Sequence, residues 1–91
     1  MTIAIEHLPD KGRFQTQVDG LRGICDYRVD CGIMQIHHTE VAPALEGRGI
    51  AAALVQAALA HAGRAGLKVD PLCSYVRAYM RRHPDTMKLH A

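Results

Sequence analysis

His38 and Glu40 stand two residues apart in an extended segment, and Cys73 follows Pro71-Leu72 just ahead of a helical pattern. Two-residue spacing on a strand places both side chains on one face, unless a bulge intervenes. A histidine oriented by a carboxylate is a general base suited to neutral pH. A bulge would break the alternation and make His37 the contender. A thiol near a helix N-terminus has its thiolate favoured by the dipole, so Cys73 can serve as an acid or as an acyl-accepting nucleophile. The plainer readings are a buried small cysteine and two half-exposed strand residues.

Between these groups runs Leu45-Glu46-Gly47-Arg48-Gly49-Ile50-Ala51-Ala52-Ala53-Leu54. An extended run meets a Gly-x-Gly turn, and a small-residue helix starts at once. The turn leaves unpaired backbone N–H groups at a helix N-terminus, which suits a phosphate-bearing ligand. It is not a Walker loop, because no Gly-Lys-Ser/Thr follows. It is a poor dinucleotide fingerprint, because Ala52 replaces the third glycine and no βαβ unit precedes it. Gly47 and Gly49 also fit a tight connection with no ligand at all. Cys25, Cys31, His37, His38 and Cys73 show no Cys-x-x-Cys or His-x-x-x-His spacing, so no metal site is expected.

These groups need a scaffold of modest size. The chain has 91 residues, 48% of them hydrophobic, which predicts one domain over 1–91 with a single aliphatic core. A net charge of +2, with basic residues dispersed, gives no argument for nucleic acid. No apolar run reaches membrane-spanning length, and the first residues lack a signal-peptide pattern. An odd cysteine count argues for reduced thiols, hence a cytoplasmic protein.

Alternation predicts strands over Thr2 to His7, Arg13 to Val18, Leu21 to Asp30 and Ile33 to Ala42, with Asp19-Gly20 as a hairpin turn. Gly23 marks a possible bulge. The period then changes. Ile50, Leu54, Val55, Ala58, Leu59 and Ala62 form one stripe of a helix that stops at Gly66. Leu67 to Val69 reads as a short strand. Ser74 is a candidate N-cap for a helix from Tyr75 to about His83, and Thr86 to Ala91 is expected to fray. The predicted class is α+β, in the order β-β-β-β-α-β-α. An antiparallel meander is followed by a right-handed crossover to a strand parallel to strand four.

This layout, with Glu46-x-x-Gly49-x-Ala51 after a long strand, resembles the GNAT superfamily of acetyl-CoA-dependent N-acetyltransferases. Glu46 stands where that family's pyrophosphate loop carries Gln or Arg. The stretches His38-Thr39-Glu40-Val41, Val69 to Val76 and Tyr79 to Asp85 resemble a minimal, single-domain subfamily. The resemblance implies a GNAT-like fold, without the N-terminal helices and closing strands of the full-length enzymes. It implies that acetyl-CoA lies between strand four and the strand before Cys73. The diphosphate would contact Glu46, Gly47, Arg48, Gly49, Ile50 and Ala51, and the pantetheine would pair near Val41. Ser74 and Tyr79 are further cofactor contacts, and Arg81, Arg82 and His83 are candidates for the 3′-phosphate. Tyr75 and Tyr79 are also candidates for a general acid, against ring packing on the sheet.

The function implied is transfer of an acetyl group from acetyl-CoA to an amine acceptor, a small molecule or a protein amine, by direct attack in a ternary complex. His38, Glu40 and Cys73 are the catalytic candidates. The alternative is a non-catalytic CoA-binding or sensing module that acts through a protein partner. A third reading is an interaction domain with a structural glycine turn.

Overall fold

The computed structural model describes residues 3–91. Four strands, β1 (Glu6–Leu8), β2 (Arg13–Val18), β3 (Leu21–Asp30) and β4 (Ile33–Val41), form an antiparallel meander. Helix α1 (Ile50–Ala65) then crosses to β5 (Lys68–Pro71), which pairs parallel to β4, and α2 (Ser74–Arg82) follows. The predicted element order and the parallel pair are both present. Strand β1 is shorter and later than its alternation suggested, beginning at Glu6; Thr2 lies outside the described residues.

Turn chemistry sets the hairpins. Asp19 (φ 53°) begins the β2–β3 turn and Cys31 (φ 52°) the β3–β4 turn, each followed by glycine, so both turns have two successive left-handed residues. That geometry matches the twist of the flanking strands. Pro71 lies inside β5, not beyond it, opposite Ile36. The position tolerates proline because β5 is an edge strand, where a missing N–H breaks no ladder. Cys73, not Ser74, is the N-cap of α2. The C-terminal segment does not fray. A 3₁₀ turn over Pro84–Leu89 returns it to the sheet, where Ala91 N–H donates to the Val69 carbonyl at 2.8 Å and Leu89 packs on the core.

Both helices contribute to one core. Leu54, Val55, Ala58 and Ala62 of α1 and Val76 and Met80 of α2 meet Phe14, Cys25, Tyr27, Met34, Ile36 and Val69 of the sheet. Gly23 is not a bulge. A Cβ there would lie 3.2 Å from both Ile50 Cγ2 and Leu54 Cδ1, so glycine lets α1 approach the sheet. Gly23 and Cys25 therefore face the helices, and Ile24 and Asp26 face the other way. That second face is polar. Arg13 chelates Asp26 at 2.7 and 3.1 Å, and Gln15 donates to Glu6. Ile24 is only 6% exposed yet stands outside the core cluster.

Two outcomes follow for stability. Gly23→Ala should cost about 1 kcal/mol, at the low end for an added core methyl, because two flexible side-chain tips must yield; urea unfolding reads it. His7 stacks on Phe14 at 4.1 Å, meets the Tyr27 hydroxyl and touches His61. Burial first, then His61 and Arg64, hold its pKa below the ordinary 6.5. The folded state therefore binds fewer protons here than the unfolded chain. Its contribution is fully present above pH 6.5 and is lost as pH falls below that through the lower folded-state value. The fall in unfolding midpoint between about pH 7.5 and about 5.5 should be shallower in His7→Gln than in the parent.

Candidate functional site

Strand β4 changes register against β3 at one point: Asp26 pairs with His38, but Tyr27 pairs with Ile36. His37 is the inserted residue, a β-bulge, and it reverses the alternation. Met34 and Ile36 face the helices before it, and Thr39 and Val41 face them after it. Ala42 N–H donates to the Arg22 carbonyl, so alternate residues Glu40 and His38 direct their backbone groups to β3. Thr39 and Val41 direct theirs to the opposite edge.

That edge has lost its neighbour. Pairing with β5 ends at Ile36 and Pro71, and Cys73 N–H makes the last bond, to the Ile36 carbonyl at 3.0 Å. Beyond it the chain turns into α2 and leaves an open groove of about 400 Å³. Thr39 and Val41 line one wall, Tyr75 another, and Leu45, Glu46, Gly47 and Gly49 to Ala52 close the end.

The closing loop presents the start of α1. Gly49 is the N-cap at φ 77°, with Gly47 also left-handed at φ 81°, and a Cβ at either would meet nothing within 4 Å. The glycines are thus set by backbone conformation and not by crowding. No side chain caps this helix and no acidic residue lies in its first turn. The first helical bond here is Ala53 N–H to the Gly49 carbonyl, so the amides of Ile50, Ala51 and Ala52 are free for an anion.

Cys73 sits where β5 becomes α2, its Sγ 3.7 Å from Thr39 Oγ1. Burial pushes its pKa up. The Val76 amide, the Thr39 hydroxyl and the backbone of Tyr75 and Thr39 outweigh that and hold it below the ordinary thiol value. Cys25 is the contrast: fully buried opposite Thr39, its thiol is pushed up to about 12 by desolvation. Arg77 fixes the turn that carries Cys73, donating from Nη1 to the carbonyls of Pro71 (3.1 Å) and Leu72 (2.9 Å).

His38 and Glu40 do share a face, and His38 Nε2 lies 3.1 Å from Glu40 Oε1. Both follow the bulge, so that face is the bare one, across the sheet from Cys73. Their side chains are 47% and 67% exposed. Arg48 points away from the groove to Asp19 at 3.2 Å. Ser74 is exposed at the first turn of α2 and outside the groove lining. Tyr79 is one turn beyond Tyr75, stacked on His83. Arg81 lies on another side of α2, beside Pro71 and Arg77. Among the described residues, no three His, Cys, Asp or Glu side chains could hold a metal ion, and no helix is long and apolar enough to cross a membrane.

The profile of the GCN5-related N-acetyl-transferase family matches residues 13–89, which includes the bulge, the glycine turn and the Cys73 turn. The chain belongs to that family. Protein NATD1 of Mus musculus and of Gallus gallus are each 34% identical to it over 85 residues, covering 90% of this chain and 77% of the relative. The human Protein NATD1 is likewise 34% identical, with 75% of its length covered. The solution structure of a GCN5-like protein from Staphylococcus aureus superposes with a TM-score of 0.76 at 25% identity, over 97% of this chain and 87% of that one. The GNAT-like architecture expected from the sequence is therefore the observed one.

Sequence reasoning gave no role to two side chains beside this groove, Thr39 and Arg77, and a different one to Tyr75. Thr39 falls between the two residues singled out on β4, and only the bulge reveals that it faces Cys73. Arg77 carries no motif; its role is to bond two carbonyls five and six residues earlier. Tyr75, weighed as an acid against ring packing on the sheet, is the α2 ring that lines the groove.

Thiol chemistry tests this arrangement. Brief iodoacetamide treatment at neutral pH should alkylate Cys73 well before Cys25, whose sulfur is both buried and protonated. Thr39→Val should slow Cys73 and shift its rate profile to higher pH, and Thr39→Ser should restore it.

Proposed function

We propose that the protein binds acetyl-CoA in the β4–α1–α2 groove and transfers the acetyl group to an amine. The observation that carries this reading is the meeting of two features in one groove: an uncapped α1 N-terminus and the unpaired backbone edge of Thr39 and Val41. The amides of Ile50, Ala51 and Ala52 hold the diphosphate, with Gly47 and Gly49 allowing the loop to close around it. Glu46 contributes its backbone; its carboxylate would repel the ligand. The N–H groups of Thr39 and Val41 lie where an extended pantetheine arm can pair with them, and one of them polarises the thioester carbonyl.

The thioester supplies an activated acyl group: a C–N bond forms to the amine as the C–S bond to CoA breaks. The acceptor amine must first lose a proton. Glu40 engages His38 Nε2, which leaves Nδ1 with the free lone pair to take that proton. The acetyl group would lie on the helix face of β4 and the base on the bare face, so the amine approaches across the strand edge. Cys73, held toward its thiolate, is better suited to accept an acyl group than to donate a proton. With Cys25, Cys31 and Cys73 all free, the reading is of a cytoplasmic enzyme.

The exposure of His38 and Glu40 supports a second reading, in which the domain binds CoA and a partner protein completes the acceptor surface. Native mass spectrometry with acetyl-CoA should show a one-to-one complex. A bound complex with no turnover on any amine tested favours the second reading, and no complex at all removes both. If the enzyme reading holds, His38→Ala should lower acetyl transfer by about 10²-fold and leave CoA affinity unchanged.

A further inference from the structure

Cys25 is the buried thiol of the chain, and the chemistry of the groove leaves it without a task. It stands directly across from Thr39 in the β3–β4 register, on the helix-facing side. Ala42 N–H donates to the Arg22 carbonyl, so hydrogen-bonded pairs alternate from there: Ile24–Glu40 is one, and Cys25–Thr39 is not. Pairs of the second kind bring their side chains closer, with Cα atoms about 4.5 Å apart. Thr39 Oγ1 therefore lies between two sulfurs. Cys25 is on the β3 side, and Cys73 Sγ is 3.7 Å away on the side that β5 leaves. Both sulfurs feel that hydroxyl: it opposes the desolvation of Cys25 and helps to hold Cys73 low.

A threonine hydroxyl has one proton and two lone pairs. While Cys73 is protonated, both thiols can donate to Thr39 Oγ1. Once Cys73 ionises, its bond must reverse, and the threonine proton must point at the thiolate. A hydroxyl rotor is held in that orientation when a donor occupies its acceptor side. Cys25 remains such a donor wherever Cys73 is ionised, because desolvation pushes its thiol up to about 12 while Cys73 titrates below the ordinary thiol value. The surroundings offer Cys25 little else. It belongs to the apolar core, and α1 turns Ile50 and Leu54 to this end of the sheet. Of the charged and titratable neighbours, Asp26 faces the bare side in its chelate with Arg13, Arg77 is spent on two carbonyls, and Tyr75 stands on the groove wall.

We propose that Cys25 is a positioning residue for Cys73: its thiol donates to Thr39 Oγ1, and Thr39 donates its own proton to the Cys73 sulfur. No proton leaves Cys25 and no covalent bond changes. The chain of two hydrogen bonds, from buried thiol to hydroxyl to thiolate, stabilises the charge and fixes the sulfur at the groove. What that thiolate is used for rests on the acetyl-CoA reading; the hydrogen-bond chain is a property of the protein alone.

Alkylation of the full chain by iodoacetamide over a pH series, with peptide mapping, reads the ionisation of Cys73 separately from Cys31. Cys25→Ala should move the midpoint of the Cys73 profile upward by about half a pH unit or more. Cys25→Ser, of nearly the same volume as alanine but with a donor, should bring it back. A space-filling role alone would make the two variants alike. In a Thr39→Val background, Cys25→Ala should have no further effect, since the coupling runs through Thr39. A Cys25→Ala profile equal to wild type, or equal to that of Cys25→Ser, overturns the proposal. If the Cys25 variants do not fold, nuclear magnetic resonance of the unsubstituted chain labelled at cysteine Cβ decides. The Cys25 resonance should then move as Cys73 ionises, and less so in Thr39→Val; a Cys25 resonance indifferent to Cys73 overturns the proposal. None of these measurements uses CoA, so failure of acetyl-CoA to bind would remove the acetyl-transfer reading and leave the positioning role standing.

Discussion

One inserted residue in β4 governs the rest of this structure. The bulge at His37 reverses the side-chain alternation between Ile36 and Thr39. A strand shifted by one residue sends its whole set of side chains to the opposite face. Without the insertion, His38 and Glu40 would point into the layer occupied by Ile50 and Leu54, where unpaired polar groups are costly. Thr39 and Val41 would point to solvent. The same insertion turns the backbone groups of Thr39 and Val41 toward the edge that β5 leaves, so one defect creates both the wall and the hydrogen-bonding edge of the groove.

The groove also needs α1 to begin at the right place. Leu45, 1% exposed, anchors the 3₁₀ turn over Pro43–Leu45 in the core, and the next residues have only a short path to the helix. Left-handed Gly47 and Gly49 complete that path and leave the first amides of α1 uncapped. Farther along, alanines on α1 and the absence of a side chain at Gly23 let the helix lie close to the sheet. Small residues thus serve two ends: close packing on one face of α1, and room on the face turned to α2.

The sheet has unlike faces. One carries both helices, the aliphatic core, the Cys73–Thr39 contact and the groove. The other carries the Arg13–Asp26 chelate, the Gln15–Glu6 bond and the His38–Glu40 pair. The edge of β4 beyond Ile36, where β5 no longer pairs, borders both faces. The proposed acetyl transfer would use that edge, with the donor on one side and the amine on the other.

The sequence by itself determined the order of elements, the limits of β2, β3 and α1, the glycine stop at Gly66 and the glycine turn at Gly49. These follow from local signals: alternation, helical periodicity, and residues that tolerate left-handed backbone. It also paired His38 with Glu40, since both stand on the same side of the bulge. What only the tertiary structure decided was which face that pair occupies, because a bulge is a mismatch between two strands and is not encoded in either alone. The same holds for Gly23, read as a bulge but required by a helix some thirty residues later. It holds for Thr39 and Arg77, whose partners lie on other elements, and for Thr86 to Ala91, which pack because Val69 offers them an edge. Local propensity names the elements; contacts across them assign each side chain its work.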